Sequence, residues 1–415
     1  MNPIALSVTT AQEAEASRPR APGRLASLDA YRGLSMLLMA SGVLGLPAVA
    51  EHFPESKFWQ SVAFHWEHVS WMGCSLHDLI QPSFSFMVGV ALPFSLAGRM
   101  ARNQSPAAQW GHVLWRSLLL VLLGVALRSM NQPITYWTFE DTLSQIGLGY
   151  PILFAVAAWG WRAPWIALGV ILAGYWTAFA VYPLPSADFN WQAAEGKAWF
   201  EGFRAHWNQN SNAAWAFDRW FLNLFPREAP FTGNGGGYST LSFIPTLGTM
   251  LLGLIAGRWL MDTPPSGEAD YHEPRPMRAV GRLVMAGVVT LLLGWGLDRL
   301  GWCPSVKKIW TPSWTLFSGG WCFLAMAAFY LVADVWGAKR VFFPLTVVGM
   351  NSIAMYVLTE CLAGFFGKTL RTHLGAKPFL IFGESFAPLM QGAGVMLILW
   401  LILFWMYRRK LFLKI

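Results

Sequence analysis

A cluster of titratable residues immediately precedes one of the apolar runs of this 415-residue chain. The stretch "HWEHVSWMGCSLHDLIQPSFSFMVGVALPFSL" at 65–96 contains three histidines, and His52 lies a short distance before it. An imidazole changes protonation near neutral pH, so one of these histidines could act as a general base or nucleophile beside a carboxylate. Asp78 is the candidate carboxylate, at the predicted start of a helix whose dipole favours its charged form. The alternative is that Asp78 only caps this helix and that the histidines are polar residues of a membrane interface.

A metal site is a third interpretation of the same stretch. His65, His68, Cys74 and His77 offer ligand atoms, but their spacing matches no familiar metal-binding motif. The four cysteines of the chain form no CxxC pair. We therefore predict neither a metal centre nor a disulfide framework.

Ionisable residues inside the apolar runs are rare and form a second group of candidates. Arg116 lies near the start of one predicted span, and Glu360 lies well inside another. Such groups are costly in lipid and usually face a cavity or a partner, so Glu360 could bind a polar substrate, carry a proton or pair with a neighbouring Asn or Arg. Asn351, in "GMNSIAMYVLTE", could form a helix-to-helix hydrogen bond or belong to a site.

The composition is that of a membrane protein. Hydrophobic residues make up 55% of the chain and charged residues only 13%, whereas soluble domains contain about 25% charged residues. The formal net charge of +8 would suggest a nucleic-acid partner in a soluble chain. Here the basic residues fall mostly in short stretches between apolar runs, where they orient a membrane protein. We therefore predict an all-α integral membrane protein with no nucleic-acid partner.

The apolar runs predict ten transmembrane helices, because crossing the bilayer takes about 20 apolar residues. More than half of the 30 lysines and arginines face the cytoplasm if both termini do, which favours that orientation. The histidine-containing loop 51–78 then lies on the outer side. The predicted spans are 28–50, 79–98, 110–129, 142–158, 164–182, 239–260, 279–298, 311–333, 344–366 and 388–407.

Two segments fall outside these spans. Residues 1–24 lack the apolar core of a signal peptide, so a disordered cytoplasmic tail is predicted, followed by a polytopic membrane domain over 25–415. The outer segment 183–238 contains "AAWAFDRWFLNLF" at 213–225, which has helical spacing of aromatic residues but is too short to span the bilayer, so we expect an interfacial helix. Its final "TGNGGGYSTLSFIP" could cradle a phosphate, but an ordinary flexible loop is the expected structure.

Several motifs together resemble the heparan-α-glucosaminide N-acetyltransferase family. They are, in chain order, "RLASLDAYRGLSMLLM", "HVSWMGCSLHDLIQPSFSFMVGVALPFSL", "DTLSQIGLGYPILF", "GGGYSTLSFIPTLGTMLLGLIAG", "KKIWTPSWTLFSGG" and "FPLTVVGMNSIAMYVLTE". The H-x-x-W-x-G followed by D-L-x-x-P is the most specific part. The resemblance extends over most of the chain from about residue 24.

This resemblance implies a transmembrane acetyltransferase that moves an acetyl group from cytoplasmic acetyl-CoA to the amine of a glucosamine-type sugar on the outer side. It assigns the active histidine to His68 and its acidic partner to Asp78. His68 would either form an acetyl-imidazole in a ping-pong reaction or act as a general base in direct transfer. Trp71, Gln145, Asn351 and Glu360 are the residues we expect to bind substrate.

The co-substrate acetyl-CoA would need cationic contacts for its phosphates on the cytoplasmic side. The basic residues available there also have an ordinary role as topology markers. Expected partners are an amino sugar or glycan acceptor and the lipid bilayer, with a homodimer left open, and the expected location is a bacterial inner membrane. The candidate phosphate ligands are Arg99, Arg102, Arg258, Arg278 and Arg282.

The chain also departs from the family pattern. Members related to the lysosomal enzyme have an asparagine near the outer end of the first span, where this chain has Val43, and the family's "LQRI" is "LSQIG" here, with Gln145 kept and the arginine lost. These departures leave two other functions open. One is a transporter for an amino sugar that uses Glu360 and Asn351, and the other is a non-catalytic membrane scaffold.

Overall fold

The computed structural model describes residues 25–261 and 275–413, so the predicted tail 1–24 lies outside the described residues. Helices dominate the described part of the chain, and its only β-pairings are two isolated bridges. The predicted all-α membrane fold is confirmed. The α-helices are α1 Ala26–Ala40, α2 Leu46–Glu51, α3 Lys57–Trp66, α4 Ile80–Met100, α5 Pro106–Ser129, α6 Thr142–Ala158, α7 Ala163–Ala180, α8 Ala213–Phe221, α9 Phe243–Met261, α10 Arg275–Arg299, α11 Pro312–Tyr330, α12 Phe343–Gly349, α13 Ser352–Leu374 and α14 Ala387–Arg408.

Eight helical stretches in the described ranges are long and apolar enough to cross a membrane, and α6 is a shorter apolar helix. Two of the ten predicted spans are interrupted. The first breaks after α1, because Gly45 adopts a left-handed conformation with φ of 60° and the short helix α2 begins at Leu46, with Pro47 in its first turn. The ninth breaks at Asn351, between α12 and α13, and the long helix starts only at Ser352.

The centre of the protein is built on the close contact of α4 with α9. Nearly all of α9 is buried, and its glycines lie directly against the backbone of α4. A Cβ on Gly253 would overlap the Phe86 carbonyl, and one on Gly89 would overlap the Met250 carbonyl. Small residues allow such close backbone approach in membranes, where van der Waals packing replaces the hydrophobic effect between helices.

We predict that Gly253→Ala lowers the stability by about 1–3 kcal/mol or more, because the added methyl group forces α4 and α9 apart. The matched control is Gly174→Ala in α7, where a Cβ would enter open space. That substitution should be neutral or stabilising by up to about 1 kcal/mol, as expected for alanine in a helix. Thermal unfolding of both variants in detergent measures the difference, and equal melting temperatures would contradict the proposed contact.

The long segment 183–238 packs over one end of the helical bundle. Its helix α8 buries Trp215 and Asp218 and exposes Trp220, and the following turn exposes Leu224. A carboxylate oxygen (Oδ2) of Asp218 accepts a hydrogen bond of 2.9 Å from the Thr240 backbone N–H, where the chain enters α9. This bond ties α8 to the end of the glycine-rich loop.

The buried carboxyl group of Asp218 makes the stability of this connection depend on pH. Burial raises the pKa of Asp218 to about 7, although the Thr240 hydrogen bonds oppose the shift. Because the folded-state pKa is raised above the ordinary value of 3.8, the unfolded state loses its proton first as the pH rises. The contribution of Asp218 to stability is therefore fully present below about pH 4 and is lost as the pH rises through about 7.

We expect Asp218→Asn to remove this dependence, because asparagine keeps an oxygen for the Thr240 N–H and is neutral at every pH. The melting temperature of Asp218→Asn relative to wild type should rise between pH 5 and pH 8. Asp188→Asn is the control, since Asp188 is fully exposed. A difference that is constant with pH would show that Asp218 is ionised throughout this range.

Candidate active site

The structure brings His68 and Asp78 into direct contact. His68 Nδ1 lies 2.8 Å from Asp78 Oδ1, and the Asp78 side chain is fully buried while His68 is 42% exposed. The other oxygen, Asp78 Oδ2, accepts the backbone N–H groups of Val69 and Ser75 and the Ser75 hydroxyl. The carboxylate therefore organises loop 67–76 as well as the imidazole. The interpretation of Asp78 as only a helix cap is wrong, because these bonds go to the loop and not to the first turn of α4.

Lys307 completes this cluster, and sequence reasoning missed it. Its Nζ donates to Asp78 Oδ1 at 3.1 Å and lies 3.0 Å from His68 Nδ1. Lys307 is only 5% exposed. Burial lowers the pKa of its ammonium group, while the Asp78 charge opposes that shift. The only clue in the sequence is a lysine pair directly before the apolar "IWTPSW", where a positive charge at a span end is ordinarily a topology marker.

Backbone contacts hold the two loops together. Met72 and Val306 form an isolated bridge, and the Gly73 N–H donates to the Ser305 carbonyl at 3.3 Å. Asp78 is thus reached by side chains from two loops that are more than 200 residues apart in sequence. We name His68, Asp78 and Lys307 the catalytic cluster.

The other metal-ligand candidates have different roles in this structure. The His77 ring lies 4.8 Å from the His68 ring, whereas His65 accepts the Leu76 N–H through Nδ1. Burial, together with the Asp78 charge, raises the pKa of the Cys74 thiol to about 12, so this thiol is neutral. Within 25–261 and 275–413 no group of three or more His, Cys, Asp or Glu side chains is placed to hold a metal ion.

Two residues predicted to bind substrate are engaged elsewhere. Trp71 is 1% exposed, donates through its indole N–H to the Trp207 carbonyl at 3.2 Å and packs against Gly237, so it is a core residue. Asn351 is fully buried and bonds both the Leu411 carbonyl and the Leu413 N–H, at 3.0 and 3.1 Å. Its side chain therefore holds the segment after α14 at the break between α12 and α13.

Gln145 is buried within a polar network, whereas Glu360 is exposed. Gln145 Oε1 accepts from Gln81 Nε2 at 3.0 Å and from the Thr246 hydroxyl at 2.9 Å, which joins α6 to α4 and α9. Gln81 is one helical turn beyond Asp78, so this polar network begins next to the catalytic cluster. Glu360 is exposed on α13 and interacts electrostatically with Arg128 of α5.

No protein-family model matches the chain, but two curated proteins do. Human heparan-alpha-glucosaminide N-acetyltransferase is 24% identical over 444 aligned residues, which cover 95% of this chain and 60% of the human protein. The mouse protein of the same name is 22% identical over 397 residues, covering 84% of this chain and 55% of its own length. The chain is related to these proteins at the family level. It spans a little over half the length of the relatives that it matches.

The turn after α1 contains the position at which this chain departs from the heparan-alpha-glucosaminide N-acetyltransferase pattern. Val43 belongs to the turn Ser41–Leu44 after α1 and packs against α14 at Gly392. Ser41, the nearest polar side chain, accepts the Trp66 indole N–H at 2.9 Å and donates to the Leu38 carbonyl at 2.6 Å. The Ser41 hydroxyl is thus used in anchoring the end of α3, two residues before His68.

The five arginines proposed as phosphate ligands differ in their surroundings. Arg258 donates to the carbonyls of Ala157, Gly160 and Trp161, so it holds the end of α6. Arg99 has a buried guanidinium nitrogen, Nη1, without a hydrogen-bond partner among the described residues, which fits an anion ligand. The other three, on the exposed surface of the chain, are Arg102, Arg278 and Arg282.

We predict that Lys307→Met destabilises the protein by about 3–5 kcal/mol, because it leaves the buried charge of Asp78 without its cation. Asp78→Asn in the same chain should recover part of this loss, giving a coupling of about 0.5–3 kcal/mol between the two sites. Lys308→Met is the control, since Lys308 is half-buried but forms no ion pair within the described ranges. Melting temperatures of the four proteins in detergent complete the cycle, and simple additivity would refute the ion pair.

Proposed function

We propose that this protein is a membrane-embedded N-acetyltransferase that moves an acetyl group from acetyl-CoA to the amine of a glucosamine-type sugar. The observation that most strongly supports the proposal is the catalytic cluster, in which a buried aspartate and a buried lysine fix a partly exposed histidine. The names of the human and mouse relatives support the acetyl transfer and the amino-sugar acceptor.

The geometry defines what His68 can do. When the Nδ1–H of His68 donates to Asp78 Oδ1, the lone pair of Nε2 is free for a substrate, and the Lys307 ammonium donates to Asp78. In direct transfer, Nε2 removes a proton from the sugar ammonium, and the neutral amine attacks the thioester carbonyl. The C–S bond then breaks, the thiolate of CoA takes the second amine proton, and the imidazolium of His68 returns the first proton to water. Asp78 stabilises the imidazolium while it exists.

The ping-pong route uses the same nitrogen in a different way. Nε2 attacks the thioester carbonyl, the C–S bond breaks, and CoA leaves as a thiolate while His68 holds the acetyl group. The neutral amine of the sugar then attacks this acetyl group, the bond to Nε2 breaks, and the amine proton goes to water. A rigid Asp78 contact favours both routes, because the imidazole need not reorient during the reaction.

The proposal also assigns sides to the membrane. The catalytic cluster lies at the start of the stretch 77–100, and Arg99 lies at its other end, about 30 Å away by helical rise. With the termini in the cytoplasm, Arg99 would meet the phosphates of CoA on the inner side and His68 would meet the acceptor on the outer side. In a bacterial cell this membrane would be the inner membrane.

Transport of an amino sugar is the weaker hypothesis. That hypothesis relies on Glu360 and Asn351, but the Asn351 side chain already forms hydrogen bonds with backbone groups of Leu411 and Leu413. Only Glu360 remains available for that role.

The deciding measurement is thiol release from acetyl-CoA by purified protein in nanodiscs, with and without glucosamine. We expect glucosamine-dependent release that His68→Ala lowers by about 100-fold or more, as is typical when a positioned acid–base group is removed. His52→Ala is the matched control, because His52 is exposed in the same outer loop and should leave the rate unchanged. Release beyond one thiol per protein that survives His68→Ala, or that needs no amino sugar, would refute the proposal.

A single-turnover experiment separates the two routes. In the ping-pong route, radiolabelled acetyl-CoA without acceptor should label the wild-type protein and not His68→Ala. In direct transfer, no label should appear until glucosamine is added, and it should then be found only on the sugar.

A further inference from the structure

Three polar atoms of the catalytic cluster meet in a triangle. His68 Nδ1 lies 2.8 Å from Asp78 Oδ1, and Lys307 Nζ lies 3.1 Å from the same oxygen. The third side, between Nζ and Nδ1, is 3.0 Å long. The side chains of Asp78 and Lys307 are 0% and 5% exposed, so water cannot take the place of either one. Both charged side chains therefore act on the imidazole from hydrogen-bonding distance.

The number of donors decides where the protons of this triangle lie. Nδ1 of a neutral imidazole has either a proton or a lone pair. With a lone pair, Nδ1 would face the Asp78 oxygen at 2.8 Å with no proton between the two atoms. With a proton, Nδ1 donates to Oδ1, the Lys307 ammonium donates to the same oxygen, and no two acceptors oppose each other. The contact of Nζ with Nδ1 is then a contact of charge and not a hydrogen bond.

The two charges act on the protonation of His68 in opposite directions. A carboxylate beside an imidazole favours the imidazolium, whereas an ammonium group at the same distance disfavours it. Coulomb energy depends on distance, and both charges lie about 3 Å from Nδ1, so the two effects have similar size. Because both side chains are buried, salt and water screen them little. Lys307 thus offsets most of the influence that Asp78 alone would have.

Other titratable groups lie on the elements around His68 but are placed less directly. The His77 ring lies 4.8 Å from the His68 ring, and the Lys308 ammonium lies over the Tyr238 ring, 5.5 Å from its centroid. Within residues 25–261 and 275–413, only Asp78 and Lys307 form a hydrogen bond or an ion pair with the His68 ring. The remaining groups are His65, Glu67 and Cys74 of the same outer loop, where burial raises the pKa of the Cys74 thiol and keeps it neutral, and Arg204, which contacts Met72 of that loop.

We propose that Lys307 is a positioning residue that controls the protonation of His68. Its ammonium group offsets the charge of Asp78, so the imidazole is neutral at a lower pH than the carboxylate alone would allow. An imidazolium has no lone pair on Nε2 with which to take a proton from an amine or attack a thioester. The benefit to acetyl transfer rests on the proposed function, whereas the effect on His68 does not.

The test is the reaction of His68 with diethyl pyrocarbonate, which modifies a neutral imidazole and not an imidazolium. Mass spectrometry follows the modification of His68 in nanodiscs from about pH 5 to about pH 8, the range in which imidazoles titrate. This measurement needs neither acetyl-CoA nor a sugar. The variants are Lys307→Met, Asp78→Asn and the double variant. His52, which is exposed in the same outer loop, is the internal reference in every sample.

We expect Lys307→Met to raise the pH of half-maximal His68 modification by about 1 pH unit or more, the usual effect of an unopposed carboxylate. Asp78→Asn should lower it by about 1 pH unit or more, because the ammonium group then acts alone. The double variant lacks both charges and should fall between the two single variants. A lysine that only stabilises the fold would not produce opposite shifts. An unchanged midpoint in Lys307→Met, with folding shown by its melting temperature, would overturn the proposal.

Two comparisons keep the test decisive if a variant is unstable. Where Lys307→Met does not fold, Asp78→Asn and the double variant measure the same effect without a buried unpaired carboxylate. Removing the lysine from Asp78→Asn protein should again raise the midpoint by about 1 pH unit, and equal midpoints would overturn the proposal. Lys308→Met removes the same charge from the neighbouring residue and should shift the midpoint much less. A shift as large as that of Lys307→Met would show that the triangle is not the cause.

Kinetics distinguish this proposal from the proposed function. Where glucosamine-dependent thiol release is observed, the acid limb of its pH profile should move with the His68 midpoint in each variant. The expected shifts of His68 modification in a protein that releases no thiol would refute the proposed function and keep the role of Lys307. Thiol release that depends on His68, with a pH profile that Lys307→Met leaves unchanged, would do the reverse.

Discussion

The buried carboxylate of Asp78 is the constraint on which the region around His68 depends. A fully buried charge is tolerated only when donors surround it, and here the donors come from His68, Lys307, Val69 and Ser75. Each bond gives the carboxylate a hydrogen-bond donor and at the same time holds the donor's side chain or loop in position. Loop 67–76, the imidazole and the loop before α11 are therefore positioned by one side chain.

Close helix packing determines where that carboxylate lies. The glycines of α9 allow it to pack backbone to backbone with α4, whose leading turn contains Asp78. The same pair of helices contributes Gln81 and Thr246 to the bonds around Gln145, so α6 is placed against both. The distance from the catalytic cluster to the start of α6 therefore follows from contacts that involve no charge at all.

The sequence predicted the helical class, most of the spans, and the pair of His68 with Asp78. The first two depend on composition, whereas the pair of His68 with Asp78 was expected from the resemblance of the motif at 65–96 to a known family. Lys307 could not be predicted, because its partner Asp78 is 229 residues away and a lysine at a span end usually has a simpler role. Trp71 and Asn351 were assigned to substrate because a polar or aromatic group near a motif looks available, whereas the structure gives both of them backbone partners. The breaks at Gly45 and Asn351 were missed because the hydrophobic pattern continues across them, whereas the helical conformation of the backbone is interrupted.

The separation of Asp78 and Lys307 in sequence has a consequence for biosynthesis. At about 5–20 residues per second, a ribosome needs about 10–45 s to proceed from Asp78 to Lys307. During that interval α4 enters the membrane with a carboxylate that has no cation. Its position at the very start of the helix keeps it at the water boundary, where it can remain hydrated until α10 and α11 arrive. The contact of Lys307 with Asp78 is thus completed only after the chain through α10 has been synthesised.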